Sequence, residues 1–384
     1  MLGGKVNRRK ALAIGATVLL AGCQVIPKTG PQEPPPAPEP SASTLPTDQQ
    51  RHRVALLVPL SGDNAEVGQS IANAANMALL DTNAENLRIT TYDTATGASS
   101  AAARAIRDGN KLILGPLLSE DVPAVLSQAR AADVPLISFS NDSSVAARDV
   151  FVMGISPDAS IARTVAYARS SGSSKFAALI PNGTYGARAE AAFRTAVSAN
   201  GGTFVAKEGY DRGNTSIVSA AQRLRAVGGF DTLLVAEGAR LSTQAAGAAR
   251  AKGATTPRLL GTELWSGEGS IASSTAMRGA LFATVSDNRF GQFATSYRTR
   301  FGSAPHRIAT LGYDAVLLTL RIAREWKPGK SFPLTRMRDG GGFLGLDGPF
   351  RFLPNGMVER AMEVRQVGKG TIDVVSPAPT RFDD

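Results

Sequence analysis

The sequence predicts an α/β protein with two lobes, each built around a parallel sheet. From Arg53 onward, short apolar runs of four to eight residues alternate with amphipathic helical stretches. That alternation is typical of β-α-β units, whose strands run parallel. It occurs in two successive series, which indicates two Rossmann-like sheets. The chain has 384 residues, of which 43% are hydrophobic and 19% charged, so it is long enough for one large bilobed domain.

The first 22 residues have the pattern of an export signal. Four basic residues fall within the first ten, and residues 11–22 are apolar or small. A bilayer span needs about 20 apolar residues, so this run of twelve fits the apolar region of a signal peptide instead. The segment Leu20-Ala21-Gly22-Cys23 resembles the bacterial lipobox. We therefore predict a lipoprotein signal peptide over 1–22 and a lipid anchor at Cys23, the only cysteine in the chain. A plain secretory signal remains the alternative, and both Sec and twin-arginine export remain open.

Residues 23–50 form a predicted linker. Proline recurs through residues 27–50 without an apolar period, which favours extended polyproline II at about 3.1 Å per residue. The alternative is a disordered tail without a spacer role. In the lipoproteins that the motif resembles, an aspartate after the cysteine retains the protein at the inner membrane, whereas this chain has Gln24. We therefore expect it on the periplasmic side of the outer membrane.

The net charge of +10 does not indicate nucleic-acid binding. Four of the positive charges lie in the predicted signal peptide, and the remaining basic residues are scattered. A nucleic-acid partner would need basic residues clustered on one face. The two histidines, His52 and His306, lie far apart in the sequence, so no histidine-rich metal site is predicted.

The elements follow in order along the globular region. The first series contains these strands and helices: Val54–Leu60, Val67–Leu80, Leu87–Tyr92, Ala101–Arg107, Lys111–Leu114, Asp121–Ala132 and Val134–Phe139. The second contains Phe151–Met153, Ser160–Ser170, Phe176–Ile180, Arg188–Asn200, Thr203–Glu208, Ser216–Val227, Thr232–Ala236, Ser242–Ala251 and Arg258–Gly261. A crossover strand at Leu281–Val285 and helices at Phe293–Phe301 and Ala309–Trp326 complete the prediction.

Ligands of open parallel sheets bind beyond the carboxyl ends of the strands. The loops at those ends contain serines, acids, an amide and an aromatic residue that could hold a ligand. These candidates are Ser61, Ser119, Ser140, Asn141, Asp142, Tyr185, Glu237 and Glu263.

Several of these loops carry motifs found in one family. These motifs occur in the same order as in the type I periplasmic binding proteins, and the chain resembles the branch of that family that contains the leucine, isoleucine and valine receptors. The matching pieces are Val54–Gly62 with Gly68, Leu114–Ser119, Val134–Ser138, Asn182–Gly186, Gly345–Gly348, Arg351-Phe352 and Asn355-Gly356. The resemblance implies a bilobed domain over 51–384. Lobe I would comprise about 51–157 and 283–340, and lobe II about 158–282 and 341–384.

The segment Ser138–Asp142 is more similar to the sequences of one sub-branch of this family. These are the lipoprotein activators of penicillin-binding proteins, whose C-terminal domain has this fold. The predicted anchor, Gln24 and the proline-rich spacer agree with that sub-branch. The resemblance implies regulation of a peptidoglycan synthase by protein contact. The alternative is the substrate-binding lipoprotein of an amino-acid ABC transporter, with an amino-acid ligand and a permease as partners.

The receptor resemblance also implies roles in the cleft. Ser119 and the Ser140–Asp142 segment match the positions that grip a ligand's carboxylate and ammonium, although Ser119 could instead cap a helix. Asp142 could bind an ammonium group or cap a turn.

On lobe II, Tyr185 matches an aromatic residue that closes over the ligand, or it packs at a helix start. Glu263 matches a carboxylate that holds the ammonium. Glu237 stands where receptors often place an aromatic residue. Trp265 could line the cleft or an interface.

No catalytic motif accompanies these residues. The chain lacks G-x-x-x-x-G-K-[ST], H-E-x-x-H and G-x-S-x-G. Gly340, Gly342 and Gly345 satisfy G-x-G-x-x-G, but no predicted strand precedes them and no helix follows, so we interpret them as a turn. We expect no enzymatic activity, no catalytic residues, no metal site and no cofactor.

Overall fold

The computed structural model describes residues 50–250 and 256–382. They belong to one compact unit of the chain, Pro46–Asp384. The predicted signal peptide, Cys23 and nearly all of the predicted linker lie outside the described residues. Among the described residues, no helix has the length and apolar character needed to cross a bilayer.

Lobe I is built on a five-stranded parallel sheet of order β2-β1-β3-β4-β5. Most of its strands are buried apolar runs because helices cover both faces, whereas the edge strand Leu87–Asp93 is only partly buried. The elements are β1 (His52–Val58), α1 (Ala65–Asp81), β2 (Leu87–Asp93), α2 (Ala98–Arg107), β3 (Leu112–Leu114), α3 (Val122–Ala131), β4 (Leu136–Ser138) and β5 (Val150–Val152). The alternation of strands and helices in the sequence placed β5 in the second series, but β5 pairs with β4 and therefore belongs to lobe I.

Lobe II holds a seven-stranded sheet of order β15-β14-β10-β9-β8-β6-β7, in which β14 (Glu363–Val367) and β15 (Ile372–Ser376) come from the end of the chain. The strands that form before the chain leaves this lobe, β6 to β10, run parallel to one another, as predicted. Its elements are α4 (Pro157–Ser170), β6 (Lys175–Pro181), α5 (Thr184–Ala199), β7 (Thr203–Tyr210), α6 (Ser216–Val227), β8 (Thr232–Val235), α7 (Ala239–Ala249), β9 (Arg258–Leu260) and β10 (Leu281–Thr284).

The chain then returns to lobe I, where α9 (Thr310–Ala323) packs against α1. The later elements are α8 (Phe290–Phe301), α9 (Thr310–Ala323), β11 (Phe343–Gly345), β12 (Gly348–Phe352), β13 (Val358–Arg360), β14 (Glu363–Val367) and β15 (Ile372–Ser376). Strands β11 to β13 form a small antiparallel sheet, and β14 and β15 join the edge of the lobe II sheet as antiparallel strands.

The last crossing of the chain, from lobe I to lobe II, lies further along the sequence than residue 341, where it was predicted. Phe343, Phe350 and Phe352 pack in the same core as Phe151 of lobe I. The chain therefore crosses only after Arg360, about twenty residues later than the glycine-rich turn suggested. Gly342 does make a turn, with φ of +68°, but β11 begins directly after it. Three-residue antiparallel strands carry too little periodicity to reveal this from sequence.

Candidate functional site

The first wall of the cleft comes from lobe I. Ser61, Ser119 and the Ser140–Asp142 segment follow β1, β3 and β4, so the parallel sheet brings them to its carboxyl edge. The Ser61 hydroxyl donates to Asp93 Oδ2 at 2.9 Å, and Asp93 Oδ1 accepts from the Leu60 amide at 2.8 Å. Ser61 therefore holds its own loop in place.

Ser119 begins a short 3-10 turn, Ser119–Asp121, ahead of α3. Neither that turn nor α3 has a side-chain cap, so Ser119 does not act as a helix cap here. Its half-buried hydroxyl makes no hydrogen bond to another described residue. Among the lobe I candidates, this hydroxyl has capacity left for a ligand.

The Ser140–Asp142 segment is closed on itself. The Ser140 hydroxyl oxygen accepts from the Asp142 amide at 3.0 Å, and Asp142 Oδ1 accepts from the amide and hydroxyl of Ser144 at 2.9 and 2.7 Å. Ser140 and Asp142 are 4% and 5% exposed. Of the two roles considered for Asp142, the structure shows the turn cap.

An arginine from lobe II also contacts this segment. Arg188 Nη1 donates to the carbonyl oxygen of Asn141 at 2.8 Å, and its Nε lies 3.6 Å from Asp142 Oδ1. Arg188 lies on α5, which belongs to the opposite lobe. The side chain therefore bridges the cleft and satisfies lobe I groups that a ligand's ammonium would otherwise contact.

Sequence reasoning did not single out Arg188. It stands three residues after Tyr185, which places the two side chains on the same face of a helix. The guanidinium carbon lies 5.9 Å from the Tyr185 ring centroid. That spacing is the sequence signal that could have found it.

The lobe II wall centres on a buried carboxyl group. Glu263 is 7% exposed and follows β9. The Tyr185 hydroxyl donates to Glu263 Oε1 at 3.0 Å and lies 3.0 Å from the Thr262 hydroxyl. Burial raises the pKa of Glu263 to about 7, although Arg188 nearby favours the charged form. Oε2 has no hydrogen-bond partner among the described residues.

Glu237, by contrast, is fully engaged. Its Oε2 accepts from Arg212 Nε at 2.8 Å and from the Tyr210 hydroxyl at 3.1 Å, and Oε1 accepts from the Gly238 amide at 2.9 Å. The Arg212 guanidinium carbon also lies 5.1 Å from the Tyr185 ring centroid. Glu237 thus positions Arg212 beside the lobe II wall and has no oxygen left without a partner.

Trp265 is a core residue and does not line the cleft or an interface. It is fully buried, and its Nε1 donates to the Glu237 carbonyl at 2.9 Å and to the Ser242 hydroxyl at 3.0 Å. Because its ring packs against Phe282, it supports the loop that carries Glu263. Within residues 50–250 and 256–382, no group of three or more His, Cys, Asp or Glu side chains could hold a metal ion.

Comparisons with known proteins agree with this architecture. The sequence pattern of the periplasmic binding protein family matches residues 52–371. A solved structure from Rhodospirillum rubrum, described as a branched-chain amino acid ABC transporter, superimposes with a TM-score of 0.74 at 21% identity. The superposition covers 85% of this chain and 100% of that one, and at this identity it shows the fold alone.

Two curated relatives match shorter stretches. The uncharacterized protein RP748 of Rickettsia prowazekii is 30% identical over 36% of this chain and 38% of its own length. The penicillin-binding protein activator LpoA of Glaesserella parasuis is 27% identical over 38% of this chain and 25% of its own length. The chain thus aligns with less than two fifths of either relative.

The family match spans most of the described residues, and the two-lobed architecture with parallel sheets agrees with the superposed structure. The matched family is one of binding proteins rather than enzymes, and its name gives the periplasm as its compartment. The chain belongs to the periplasmic binding protein family.

Proposed function

We propose that the chain is an envelope lipoprotein that regulates a peptidoglycan synthase, a penicillin-binding protein, by direct protein contact. One observation carries this proposal: the polar groups of the cleft are largely paired with one another, and Arg188 of lobe II contacts Asn141 and Asp142 of lobe I directly. A domain held together in this way can present a fixed surface to a protein partner. The partial match to LpoA supports the same assignment.

The proposal includes the anchor. Cys23 would carry the lipid, and residues 24–50 would let the domain reach away from the outer membrane toward a synthase in the inner one. Membrane fractionation of the wild type and of Cys23→Ser tests this step. We expect the wild type in the membrane fraction and the variant in the soluble periplasmic fraction; the same distribution for both would contradict the anchor.

The regulatory role is tested with purified components. Residues 46–384 are added to a class A penicillin-binding protein from the same organism, and glycan polymerisation and crosslinking rates are followed. We expect a higher rate and co-purification of the two proteins. No complex and no change in either rate would contradict the proposal.

The bridge itself is tested in solution. An arginine hydrogen-bonded to a buried segment contributes about 1.5–3 kcal/mol, so Arg188→Ala should shift the balance toward open lobes. Small-angle scattering should report a larger radius of gyration for this variant. Arg194→Ala is the matched control because Arg194 lies on the same helix but pairs with Glu190 outside the cleft. Equal radii for the wild type and both variants would show that Arg188 does not hold the lobes.

A second function, an amino-acid receptor of a transporter, is favoured by one observation. Glu263 Oε2 is buried without a partner, and the Ser119 hydroxyl is also available. An α-amino acid could place its ammonium on Glu263 and its carboxylate near Ser119. A thermal-shift screen against an amino-acid panel tests this role: a shift with one class of amino acid that Glu263→Gln abolishes would favour the receptor over the regulator.

A further inference from the structure

A cavity of about 730 Å³ opens at the edge of lobe I where its strands begin. Val134 and Pro135 precede β4, and Arg148 and Asp149 precede β5. In a parallel sheet, this edge is opposite to the carboxyl edge that forms the cleft. The cavity is therefore separate from the candidate site described above.

Three arginines line this cavity, and two of them keep donors to spare. Arg130 is matched by Asp149 through hydrogen bonds of 2.7 and 2.9 Å. Arg338 donates through Nη2 to the Arg148 carbonyl at 2.7 Å, while its buried Nε has no partner among the described residues. The Arg148 side chain is exposed. Because Nε is covered, an anion entering the cavity would instead contact the guanidinium donors of Arg148, and those of Arg338 that its hydrogen bond to the Arg148 carbonyl leaves unused.

The charge of the walls favours an anion over a cation. Asp149 already forms an ion pair with Arg130. The other charged residues of the lining are therefore two cations, Arg148 and Arg338, and one exposed carboxylate, Asp133. The connection after α9 that carries Arg338 also carries Lys327 and Lys330, both exposed. These cations add to the positive charge of the connection that supplies part of the lining.

The remaining walls are apolar. Val134, Pro135, Phe332 and Leu334 complete the lining. A free inorganic ion would leave these walls uncovered, whereas an anion joined to an apolar body would contact both kinds of wall.

The cavity also lies beside the point where the chain enters the domain. His52, the first residue of β1, stacks on Trp326 with ring centroids 4.2 Å apart. Trp326 packs against Phe332 at 5.1 Å, and Phe332 lines the cavity. If Cys23 is lipidated as proposed, the cavity is on the side of the domain from which the tether leaves.

We propose that this cavity binds the phosphate group of an anionic molecule through Arg148 and Arg338, and that a phospholipid headgroup is its source. Guanidinium groups suit phosphate because they offer paired donors in a fixed plane. The apolar walls contact the glycerol and first acyl carbons. Only the choice of source rests on the proposed anchor; the phosphate chemistry does not depend on the regulatory role.

Vesicle co-sedimentation of residues 46–384 tests the proposal. Vesicles of pure phosphatidylcholine are compared with vesicles in which about a third of the lipid is phosphatidylglycerol. We expect binding to the anionic vesicles only. Arg148→Glu should weaken it by about 25-fold, because each unit of positive charge near an anionic surface contributes about a factor of five and the reversal changes the charge by two units. Arg338→Gln is the second variant, with a melting curve for each to verify folding.

The matched control is Arg240→Glu, which makes the same charge reversal at an exposed position on α7 of lobe II. We expect this control to bind within about twofold of the wild type. Equal weakening by Arg240→Glu and Arg148→Glu would overturn the proposal in favour of diffuse surface charge. Equal binding to both kinds of vesicle, or to neither, would overturn the lipid source.

Inorganic phosphate separates the two sources. It is added to the protein alone, with ionic strength matched by chloride, and the melting temperature is measured. A rise that Arg148→Glu and Arg338→Gln abolish, without vesicle binding, would assign the cavity to free phosphate-bearing solutes. No rise together with no vesicle binding would overturn the site itself.

Discussion

Replacing Glu263 with glutamine should change the pH dependence of stability in a defined way. The carboxyl group is 7% exposed, its Oε1 accepts from the Tyr185 hydroxyl and its Oε2 has no partner. Glutamine keeps the volume and an acceptor oxygen for Tyr185, but it carries no titratable proton. Glu263→Gln therefore removes the buried charge and preserves the packing.

The magnitude follows from the pKa of Glu263, which burial raises from 4.5 to about 7. The folded protein holds this proton more tightly than the unfolded chain, so its stabilising contribution is complete below pH 4.5 and is lost as the pH rises through 7. A gap of roughly 2.5 units, at 1.36 kcal/mol each, amounts to about 3 kcal/mol. Relative to Glu263→Gln, the wild type should lose about this free energy of unfolding across that window.

The assay is urea unfolding at a series of pH values, followed by the fluorescence of the buried Trp265 and Trp326. Glu268→Gln, on the same loop but exposed, controls for the removal of one carboxylate. The reasoning is refuted if the difference between wild type and Glu263→Gln is the same at pH 4.5 and pH 8. That result would mean that water or a bound cation reaches Oε2.

Three further changes probe the framework around the cleft. Arg307→Met should cost about 3–5 kcal/mol in urea unfolding, because it leaves the fully buried Asp347 without its cation; a loss below about 1 kcal/mol would contradict this. Trp265→Phe removes two buried hydrogen bonds and should lower the free energy of unfolding by about 1–3 kcal/mol, which Trp326 fluorescence can follow. Gly345→Ala should lower the melting temperature by a few degrees, since its Cβ would lie 2.2 Å from Asp314 Oδ2; an unchanged melting temperature would count against the tight fit.

The parallel core was predictable because its signal is local. Strands buried on both faces are continuous apolar runs such as Leu112–Leu114, and the helices between them show a 3.6-residue period. The topology rule for parallel sheets then gathers the strand-end loops on one edge. Ser119, Ser140 and Asp142 could be assigned to the cleft for that reason alone.

The hydrogen bonds between side chains inside the cleft could not be predicted from the sequence. Whether Asp142 caps a turn depends on its distance from the Ser144 amide, and both roles use the same residue types. Arg188 reaches a carbonyl 47 positions away in sequence, and no local pattern records such a contact. The antiparallel strands β11 to β13 were not predicted because each has only three to five residues.

The bridge by Arg188 bears on how the two candidate functions differ. A ligand can shift an equilibrium between open and closed lobes only by its differential affinity for the two states. If Arg188 contributes about 1.5–3 kcal/mol to closure, it raises the ratio of closed to open molecules by about one to two orders of magnitude, whether or not a ligand is bound. A transporter receptor built this way would signal occupancy poorly, since its permease must distinguish loaded from empty lobes. A regulator that presents one constant surface has no such requirement, so the bridge favours the regulator unless Arg188→Ala leaves the scattering unchanged.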